Sequence, residues 1–338
     1  WSSDVCSSDL INRDKESEAA ESDMEPTCET DDAFRRNEHS LLDEKSRDYV
    51  YLDIPTPFLE RIITPVKRVQ EILTNNFKEQ KCNYESVVDS FYQQFRKRNE
   101  RYIGLLAKEF EMRKAASKYA KAKVSTTGDI DVNKVYKYQL DDSIFKKIMR
   151  VPKGKSHGLI LLLDKSGSMA PNLSASLEQI LILATFCRKV NIPFVVYGYG
   201  NSIHSRSADF PEEKENQKCF TTNINELKFS SVYLREYLNS KMGNAEYIKS
   251  VKNILALMST FPGNWKTNEF YRKESEALSN TPLTETLVAV KPIIEKFRAV
   301  NNLDIVNTVV IHDGDADKVD CSYSKERSSY GSVYVNGK

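Results

Sequence analysis

A short loop rich in oxygen-bearing side chains follows the most apolar segment of the sequence. Asp164, Ser166 and Ser168 occupy alternate positions directly after the apolar residues 159–163. One carboxylate and two hydroxyls then face one side of a tight turn, for which we expect Gly167 to supply the backbone freedom. Oxygen ligands of low total charge suit a hard cation such as Mg²⁺, which also retains several waters. The sequence therefore predicts a Mg²⁺ site, with Mn²⁺ as the alternative ion.

Two further segments place oxygen-bearing side chains at comparable positions. Thr281 precedes Pro282 at the predicted start of a helix, and Asp313 follows a second apolar run, residues 305–311. In open α/β sheets, ligands bind beyond the carboxyl ends of the strands. We therefore expect Thr281, Asp313 and the loop that begins at Asp164 to meet at one edge of a sheet.

This ordered set resembles the metal-ion-dependent adhesion site of von Willebrand factor A domains. That site consists of Asp-x-Ser-x-Ser, a Thr followed by Pro-Leu, and an Asp-Gly after an apolar strand, in this order. The resemblance implies five ligands that hold the ion directly or through water: Asp164, Ser166, Ser168, Thr281 and Asp313. It also implies an α/β fold, a three-layer, Rossmann-like von Willebrand factor A domain with a mostly parallel sheet, preceded by a helical region.

A longer stretch, about residues 50–320, is similar to the CobT-type cobaltochelatase subunits encoded by tailed phages. The segments that carry this similarity are residues 112–116, 125–128, 131–134, 144–147 and 157–158. The resemblance implies a non-catalytic subunit of an ATP-dependent, chelatase-like complex. Its partner would be a CobS-like AAA+ ATPase, an acidic residue of which completes the shell of the ion. Lys165 departs from the family pattern, and we expect its ammonium to soften the negative charge of the site.

Two other functions stay open on the sequence alone. A metal-dependent hydrolase or peptidase needs an ion-activated water and a general base nearby; His312 adjoins Asp313, but no nucleophile of defined geometry is evident. A nucleic-acid-associated phage protein would use the basic face of a helix predicted over residues 101–123. That face carries Lys108, Arg113, Lys114, Lys118 and Lys121. Such faces are more often only solvated, and a net charge of +1 disfavours nucleic acid as a partner.

Composition is that of an ordinary globular protein with a sizeable core. The 338 residues are 40% hydrophobic and 29% charged. No apolar run approaches the roughly 18 residues of a membrane span, and the first residues lack a signal-peptide pattern. Six scattered cysteines without CxxC spacing predict reduced thiols. We therefore expect a cytoplasmic protein without membrane contact, located in the host cytoplasm if a phage encodes it.

Composition and periodicity also predict the domain boundaries. The first ten of residues 1–48 match the translation of a sequencing adapter, so we expect them to be foreign to the protein. From Ile11 to Asp48 there are 13 Asp and Glu against 6 Lys and Arg, with few apolar side chains, which predicts disorder. The remaining ranges are a helical region (49–123), a β-rich connector (124–157) and the α/β domain (158–338), which we expect to lack its last strand and helix.

Hydrophobic spacing predicts the elements that position the ligands. In the α/β domain strands and helices alternate, as in a parallel sheet covered on both faces. The predicted strands are 159–163, 193–199 and 305–311, and the predicted helices are 173–190, 233–238, 247–258 and 283–300. Earlier in the chain, helices are predicted from residue 58 with a kink or restart at Pro65, over 84–98 and over 101–123, followed by a turn at 125–128 and a strand at 135–138.

Overall fold

The structure is a computed structural model, and the residues that it describes are 50–81, 83–120, 123–130, 145–150, 155–202, 206–207, 209–210, 218–223, 226–262, 270–314, 316–317, 319–321 and 333–335. The chain divides into two compact units, residues 1–51 with 328–334 and residues 52–327 with 335–338. In the first unit, the described residues 50–51 and 333–334 lie on two paired strands. The predicted adapter segment 1–10, the segment 11–48 predicted to be disordered and the predicted strand 135–138 lie outside the described residues.

The described elements alternate between helix and strand along most of the chain. In chain order they are β1 (Val50–Leu52), α1 (Leu59–Ile62), β2 (Ile63–Thr64), α2 (Val66–Gln80), α3 (Tyr84–Ala120), β3 (Lys123–Ile130), β4 (Phe145–Arg150), β5 (His157–Asp164), α4 (Leu173–Lys189), β6 (Phe194–Gly200), β7 (Leu227–Lys228), β8 (Tyr233–Asn239), α5 (Asn244–Met258), a 3₁₀ turn (Glu274–Glu276), α6 (Leu283–Asn301), β9 (Ile305–Ile311), β10 (Asp320–Cys321) and β11 (Val333–Val335).

Five strands form the main sheet in the order β2-β8-β6-β5-β9. β6, β5 and β9 run parallel to one another, β8 is antiparallel to β6, and β2 runs parallel to β8. The carboxyl ends of β6, β5 and β9 therefore share one edge of the sheet. The α/β class and the mostly parallel sheet predicted from the sequence are confirmed.

Helices cover both faces of this sheet. Leu161 and Leu163 of β5 belong to an apolar cluster with α2, α3, α4 and α5, whereas Ile160 and Leu162 belong to a second cluster with α6. Because successive side chains of a strand point to opposite faces, β5 is buried on both sides, as its continuous apolar run predicts. The three layers are compatible with a Rossmann-like fold.

The region before the sheet differs from the predicted helices. α3 runs without a break from Tyr84 to Ala120, because the expected interruption at residues 99–100 contains no Gly or Pro that would end a helix. The helix predicted from residue 58 is interrupted by β2 and restarts after Pro65. Since β2 joins the main sheet beside β8, these helices belong to the same compact unit as the sheet.

Residues 233–238, predicted to be helical, form strand β8 instead. The spacing of Leu234, Tyr237 and Leu238 fits a helical stripe as well as a strand that carries an irregularity, and the pairing of β8 with β6 shifts register between Val196 and Tyr197. Pairing with two neighbouring strands decides the conformation here, since β propensity depends strongly on context.

The turn predicted at residues 125–128 is also wrong. These residues lie within β3, which pairs with β4 in an antiparallel two-stranded sheet. The regular pairing shifts between Thr126 and Ile130, so the glycine-containing sequence produces an irregularity in a strand instead of a reversal of the chain.

The elements predicted within the α/β domain otherwise agree closely with the structure. Strands 159–163, 193–199 and 305–311 correspond to β5, β6 and β9. Helices 173–190, 247–258 and 283–300 correspond to α4, α5 and α6, with ends within three residues of those predicted. The strand ends that should carry the ligands are therefore correctly located.

Candidate metal centre

The Asp164 loop forms a chain of hydrogen-bonded oxygens at the end of β5. The Ser166 amide donates to Asp164 Oδ1 (2.9 Å), and the Ser166 hydroxyl donates to Asp164 Oδ2 (3.1 Å). A further hydrogen bond joins the hydroxyls of Ser166 and Ser168 (3.1 Å). Asp164 and Ser166 are buried, whereas Ser168 is exposed. The three side chains thus lead from the interior of the protein to its surface.

Asp313 brings a second carboxylate to this edge. It follows β9, which pairs with β5 up to the residue before Asp164. Burial raises the pKa of Asp164 to about 6; hydrogen bonds from Ser166 oppose that rise, and the charge of Asp313 adds to it. The two carboxylates are therefore close enough to repel each other, a situation that a divalent cation would relieve.

Thr281 lies on a segment that runs alongside the same loop. The Ser279 amide donates to the Lys165 carbonyl (3.0 Å), and the Gly167 amide donates to the Ser279 carbonyl (3.0 Å). Two residues further on, the carbonyl of the buried Thr281 accepts a hydrogen bond from the Asp317 amide (2.9 Å). The segment is thus held by the loop after β5 and by the loop after β9.

Asn201, the residue directly after β6, also holds this segment in place. The Asn201 amide donates to Ser279 Oγ (3.0 Å), and the Asn280 amide donates to Asn201 Oδ1 (3.1 Å). Gly200 makes this approach possible, because a Cβ at that position would lie 2.7 Å from Ser279 Oγ. The three parallel strands of the sheet therefore all contribute contacts that position the Thr281 segment.

The structure places all five predicted ligands at this edge, although by different kinds of contact. Asp164, Ser166 and Ser168 are joined by hydrogen bonds, Asp313 interacts with Asp164 through charge, and Thr281 is positioned by its backbone. Two carboxylates and three hydroxyls would together be a hard oxygen donor set of the type that suits Mg²⁺ or Mn²⁺. Among the described residues, no group of three or more His, Cys, Asp or Glu could hold a metal, so an ion at this edge would depend on the hydroxyls.

Gly167 does not play the part that the sequence suggested. Its φ lies outside the left-handed region, and a Cβ at this position would meet nothing within 4 Å. The turn therefore does not require glycine. The exposed Gly167 instead leaves the surface between Ser166 and Ser168 without a side chain.

Lys165 also differs from expectation, because its ammonium is directed into the protein. Its Nζ donates to Glu276 Oε2 at 2.7 Å, and Lys165 is only 6% exposed. The Tyr237 hydroxyl donates to the same Glu276 oxygen at 2.8 Å. The charge of Lys165 is therefore paired with Glu276 in the interior and does not balance the charges of Asp164 and Asp313.

Glu276 belongs to a buried ionic network that the sequence did not reveal. Arg235 pairs with both Glu276 and Asp209, the latter at 2.8 Å, and Asp209 accepts a hydrogen bond from Thr64 Oγ1 at 2.8 Å. Burial raises the pKa of Glu276, but Arg235 and Lys165 outweigh it and hold this pKa below its ordinary value. No motif links these distant positions; the charged Arg235 within an apolar segment was the available signal.

The basic face predicted on the long helix α3 is interleaved with carboxylates. Arg113 pairs with Glu109 at 2.6 Å, and Lys114 pairs with Glu111 at 3.5 Å, both within α3; Lys121 lies outside the described residues. Exposed pairs of this kind are typical of a solvated helix surface. None of the helices in the described part of the chain is long and apolar enough to cross a membrane.

Comparisons with known proteins identify no relative: no family model, no curated protein and no solved structure matches this chain.

Proposed function

We propose that the chain contains a von Willebrand factor A-type domain that binds Mg²⁺, or alternatively Mn²⁺, and uses the ion to dock a partner. The observation that carries this proposal is the convergence of Asp164, Ser166, Ser168, Thr281 and Asp313 at one edge of the sheet. Asp164 and Asp313 would neutralise the ion, and the three hydroxyls would supply neutral oxygens. The bound ion would act as a Lewis acid toward an incoming carboxylate.

The exposure of the site favours docking. Ser168 and Asp313 are exposed, and Gly167 leaves the adjacent surface open. An Asp or Glu from another protein can therefore approach, and its attraction to the ion is strong at short range in a partly desolvated site. Following the CobT resemblance, we assign the partner to the AAA+ ATPases of the CobS type and this chain to the non-catalytic subunit of a chelatase-like complex in the cytoplasm, that of the host if a phage encodes it.

The metal site is tested by measuring Mn²⁺ binding with electron paramagnetic resonance. Asp164→Asn keeps the shape of the side chain but removes its charge, so we expect Mn²⁺ affinity to fall by more than about 100-fold. The matched control is Asp304→Asn, which removes a carboxylate at the opposite end of β9 and should leave affinity unchanged. Equal Mn²⁺ affinity in wild type and Asp164→Asn would contradict the proposed ligand set.

Docking is tested separately by co-expressing the full chain with a CobS-like AAA+ ATPase and purifying them together. Association is expected with Mg²⁺ and is expected to be lost both in EDTA and in Asp164→Asn. Association that survives both changes would overturn metal-dependent docking. If wild type binds Mn²⁺ but does not associate with the ATPase, the assignment of the partner is wrong and the metal site stands.

The alternative of a metal-dependent hydrolase depends on His312. Its imidazole acts electrostatically on Asp164 and so lies near the site. However, the Gly314 amide donates to His312 Nδ1 at 3.0 Å, so in the neutral imidazole the proton is on Nε2. An exposed N–H donor suits hydrogen bonding to a carboxylate of a partner better than the removal of a proton from water. Turnover of a peptide or phosphoester that is lost in Asp313→Ala would reverse this preference.

A further inference from the structure

Tyr199, the penultimate residue of β6, has a buried hydroxyl for which the described part of the protein offers no hydrogen-bond partner. The side chain is fully buried, in the apolar cluster under α6. A phenylalanine would fill the same space without burying a polar group. Unsatisfied buried polar groups are destabilising and rare in native proteins, so this hydroxyl requires a reason.

The position of Tyr199 relates its hydroxyl to the proposed ion. Tyr199 is the direct neighbour of Asp164 in the parallel pairing of β6 with β5. Burial raises the pKa of the Tyr199 phenol, and the charges of Asp164 and Asp313 raise it further. The phenol is therefore protonated near neutral pH and lies within electrostatic range of both carboxylates. Within the described residues, the hydroxyl thus has no polar partner, and it lies near two carboxylates of like charge.

A hydrated cation would give the Tyr199 hydroxyl a hydrogen-bond partner and would balance the charges of Asp164 and Asp313. Mg²⁺ and Mn²⁺ at such sites keep part of their water shell, and side chains that hydrogen-bond to the shell orient and strengthen metal binding. We propose that the Tyr199 hydroxyl is a hydrogen-bonding partner of the hydrated ion and thus a positioning residue of the metal site. This inference rests on the proposed function, since it requires an ion at Asp164 and Asp313.

The test compares Tyr199→Phe with a matched variant on the same strand, Tyr197→Phe. Tyr197 lies two residues earlier and belongs to the same apolar cluster. Its pKa responds to burial and to Glu236, with neither Asp164 nor Asp313 among the charges that act on it. Two quantities are measured on the full chain: Mn²⁺ affinity, and the thermal unfolding midpoint in EDTA.

Tyr199→Phe is expected to weaken Mn²⁺ binding about tenfold, as removal of an outer hydrogen bond to a bound metal does. Its unfolding midpoint in EDTA should be equal to or higher than that of wild type, because an unsatisfied hydroxyl has been removed. These opposite directions separate positioning of the ion from packing, which would alter stability alone. Tyr197→Phe should bind Mn²⁺ as wild type does.

Several outcomes would overturn the inference, and they are distinguishable from failure of the metal site itself. If Tyr199→Phe binds Mn²⁺ as tightly as the wild type does, the hydroxyl has no role in metal binding, and the metal site itself is unaffected by this result. A lower midpoint in EDTA shows that the hydroxyl has a partner without metal, which removes the premise. Equal weakening of Mn²⁺ binding in Tyr197→Phe shows an indirect effect of the strand. A wild-type chain that takes up no Mn²⁺ overturns this inference and the proposed function together.

Discussion

At the residue scale, the fold buries the carboxylate of Asp164 without placing the neighbouring ammonium of Lys165 against it. Its carboxylate is buried, accepts two hydrogen bonds from Ser166 and lies near Asp313. The adjacent ammonium of Lys165 is paired with Glu276 and does not compensate it. In the metal-free protein, ionisation of Asp164 is therefore less favourable than that of an ordinary carboxyl group, and a divalent cation would favour it.

The pH dependence of Mg²⁺ stabilisation follows from this pKa. In the metal-free protein the pKa of Asp164 is about 6, above its ordinary value of 3.8. Its contribution to stability is therefore fully present below about pH 4 and is lost as the pH rises through about 6. Mg²⁺ binds the ionised form. With Mg²⁺ near 100 times its dissociation constant at neutral pH, we expect the unfolding midpoint to rise by about 5 °C at pH 7.5 and by about half as much at pH 5.

This prediction is checked by calorimetry with Mg²⁺ and with EDTA at the two pH values, so that the pH responses of other groups cancel. Asp164→Asn serves as the control and should show no Mg²⁺-induced rise at either pH. A rise of equal size at pH 5 and pH 7.5 in the wild type would show that Asp164 does not bind the ion.

At the scale of elements, the site depends on how closely the loop after β6 approaches the Thr281 segment. Ser279 accepts and donates backbone hydrogen bonds with the Asp164 loop, and its hydroxyl accepts from Asn201. Thr281 follows on the same short segment before α6 begins at Leu283. A displacement at Ser279 would consequently move Thr281 relative to Asp164, Ser166 and Ser168.

Gly200→Ala tests this coupling between elements. A Cβ would lie 2.7 Å from Ser279 Oγ, so this hydroxyl must move, which disturbs its hydrogen bond with the Asn201 amide and thereby the Thr281 segment. We expect stability to fall by about 1–3 kcal/mol and Mn²⁺ affinity to fall about tenfold, as measured by urea unfolding and by titration. The control is Gly243→Ala, whose Cβ meets nothing within 4 Å; its Mn²⁺ affinity should match wild type. Unchanged affinity in Gly200→Ala would show that the segment adjusts without moving Thr281.

At the scale of the whole α/β unit, the buried ionic network connects parts of the chain that are far apart in sequence. Lys165 from the Asp164 loop, Arg235 from β8 and Glu276 from the 3₁₀ turn form consecutive ion pairs. Asp209 continues the network to Thr64 on the outermost strand of the main sheet, β2. Two cations and two carboxylates balance, so removing one member leaves an uncompensated charge in the interior.

Glu276→Gln is therefore expected to lower the free energy of unfolding by about 3–5 kcal/mol. Adding Lys165→Met should recover part of this loss, because one unpaired buried cation is then removed. Glu109→Gln, which breaks an exposed pair with Arg113, is the control and should change stability by less than about 1 kcal/mol. Urea unfolding of the single and double variants measures these differences. A loss as small as that of the control would contradict a paired, buried Glu276.

The fall in the free energy of unfolding caused by Glu276→Gln is expected to depend on pH. The folded-state pKa of Glu276 is held below the ordinary value of 4.5, so its stabilising contribution is present above that pH and is lost as the pH falls through the folded value. The deficit of Glu276→Gln should therefore be largest above pH 4.5 and shrink in more acidic solution.

Much of the fold follows from local patterns in the chain. The apolar residues 159–163 and 305–311 indicate buried parallel strands because they are hydrophobic on both faces, and the polar residues after them indicate where ligands meet. Hydrophobic spacing does not predict residues 233–238 correctly, because the positions of Leu234, Tyr237 and Leu238 fit a helix as well as a strand. It also fails at residues 84–120, where one helix replaces the two expected.

Composition and periodicity alone thus indicate an α/β protein with polar residues at its strand ends, since burial on both faces and polar strand ends leave a mark in the order of residues. The set of five cation ligands is what the family resemblance implies, and it stays a prediction. Tertiary structure decides where the charges go. The Lys165 ammonium points away from Asp164 toward Glu276, and the Tyr199 hydroxyl, near two carboxylates, finds no hydrogen-bond partner among the described residues. Such choices depend on distances between residues far apart in the chain, because electrostatic and hydrogen-bond energies are set by proximity in space.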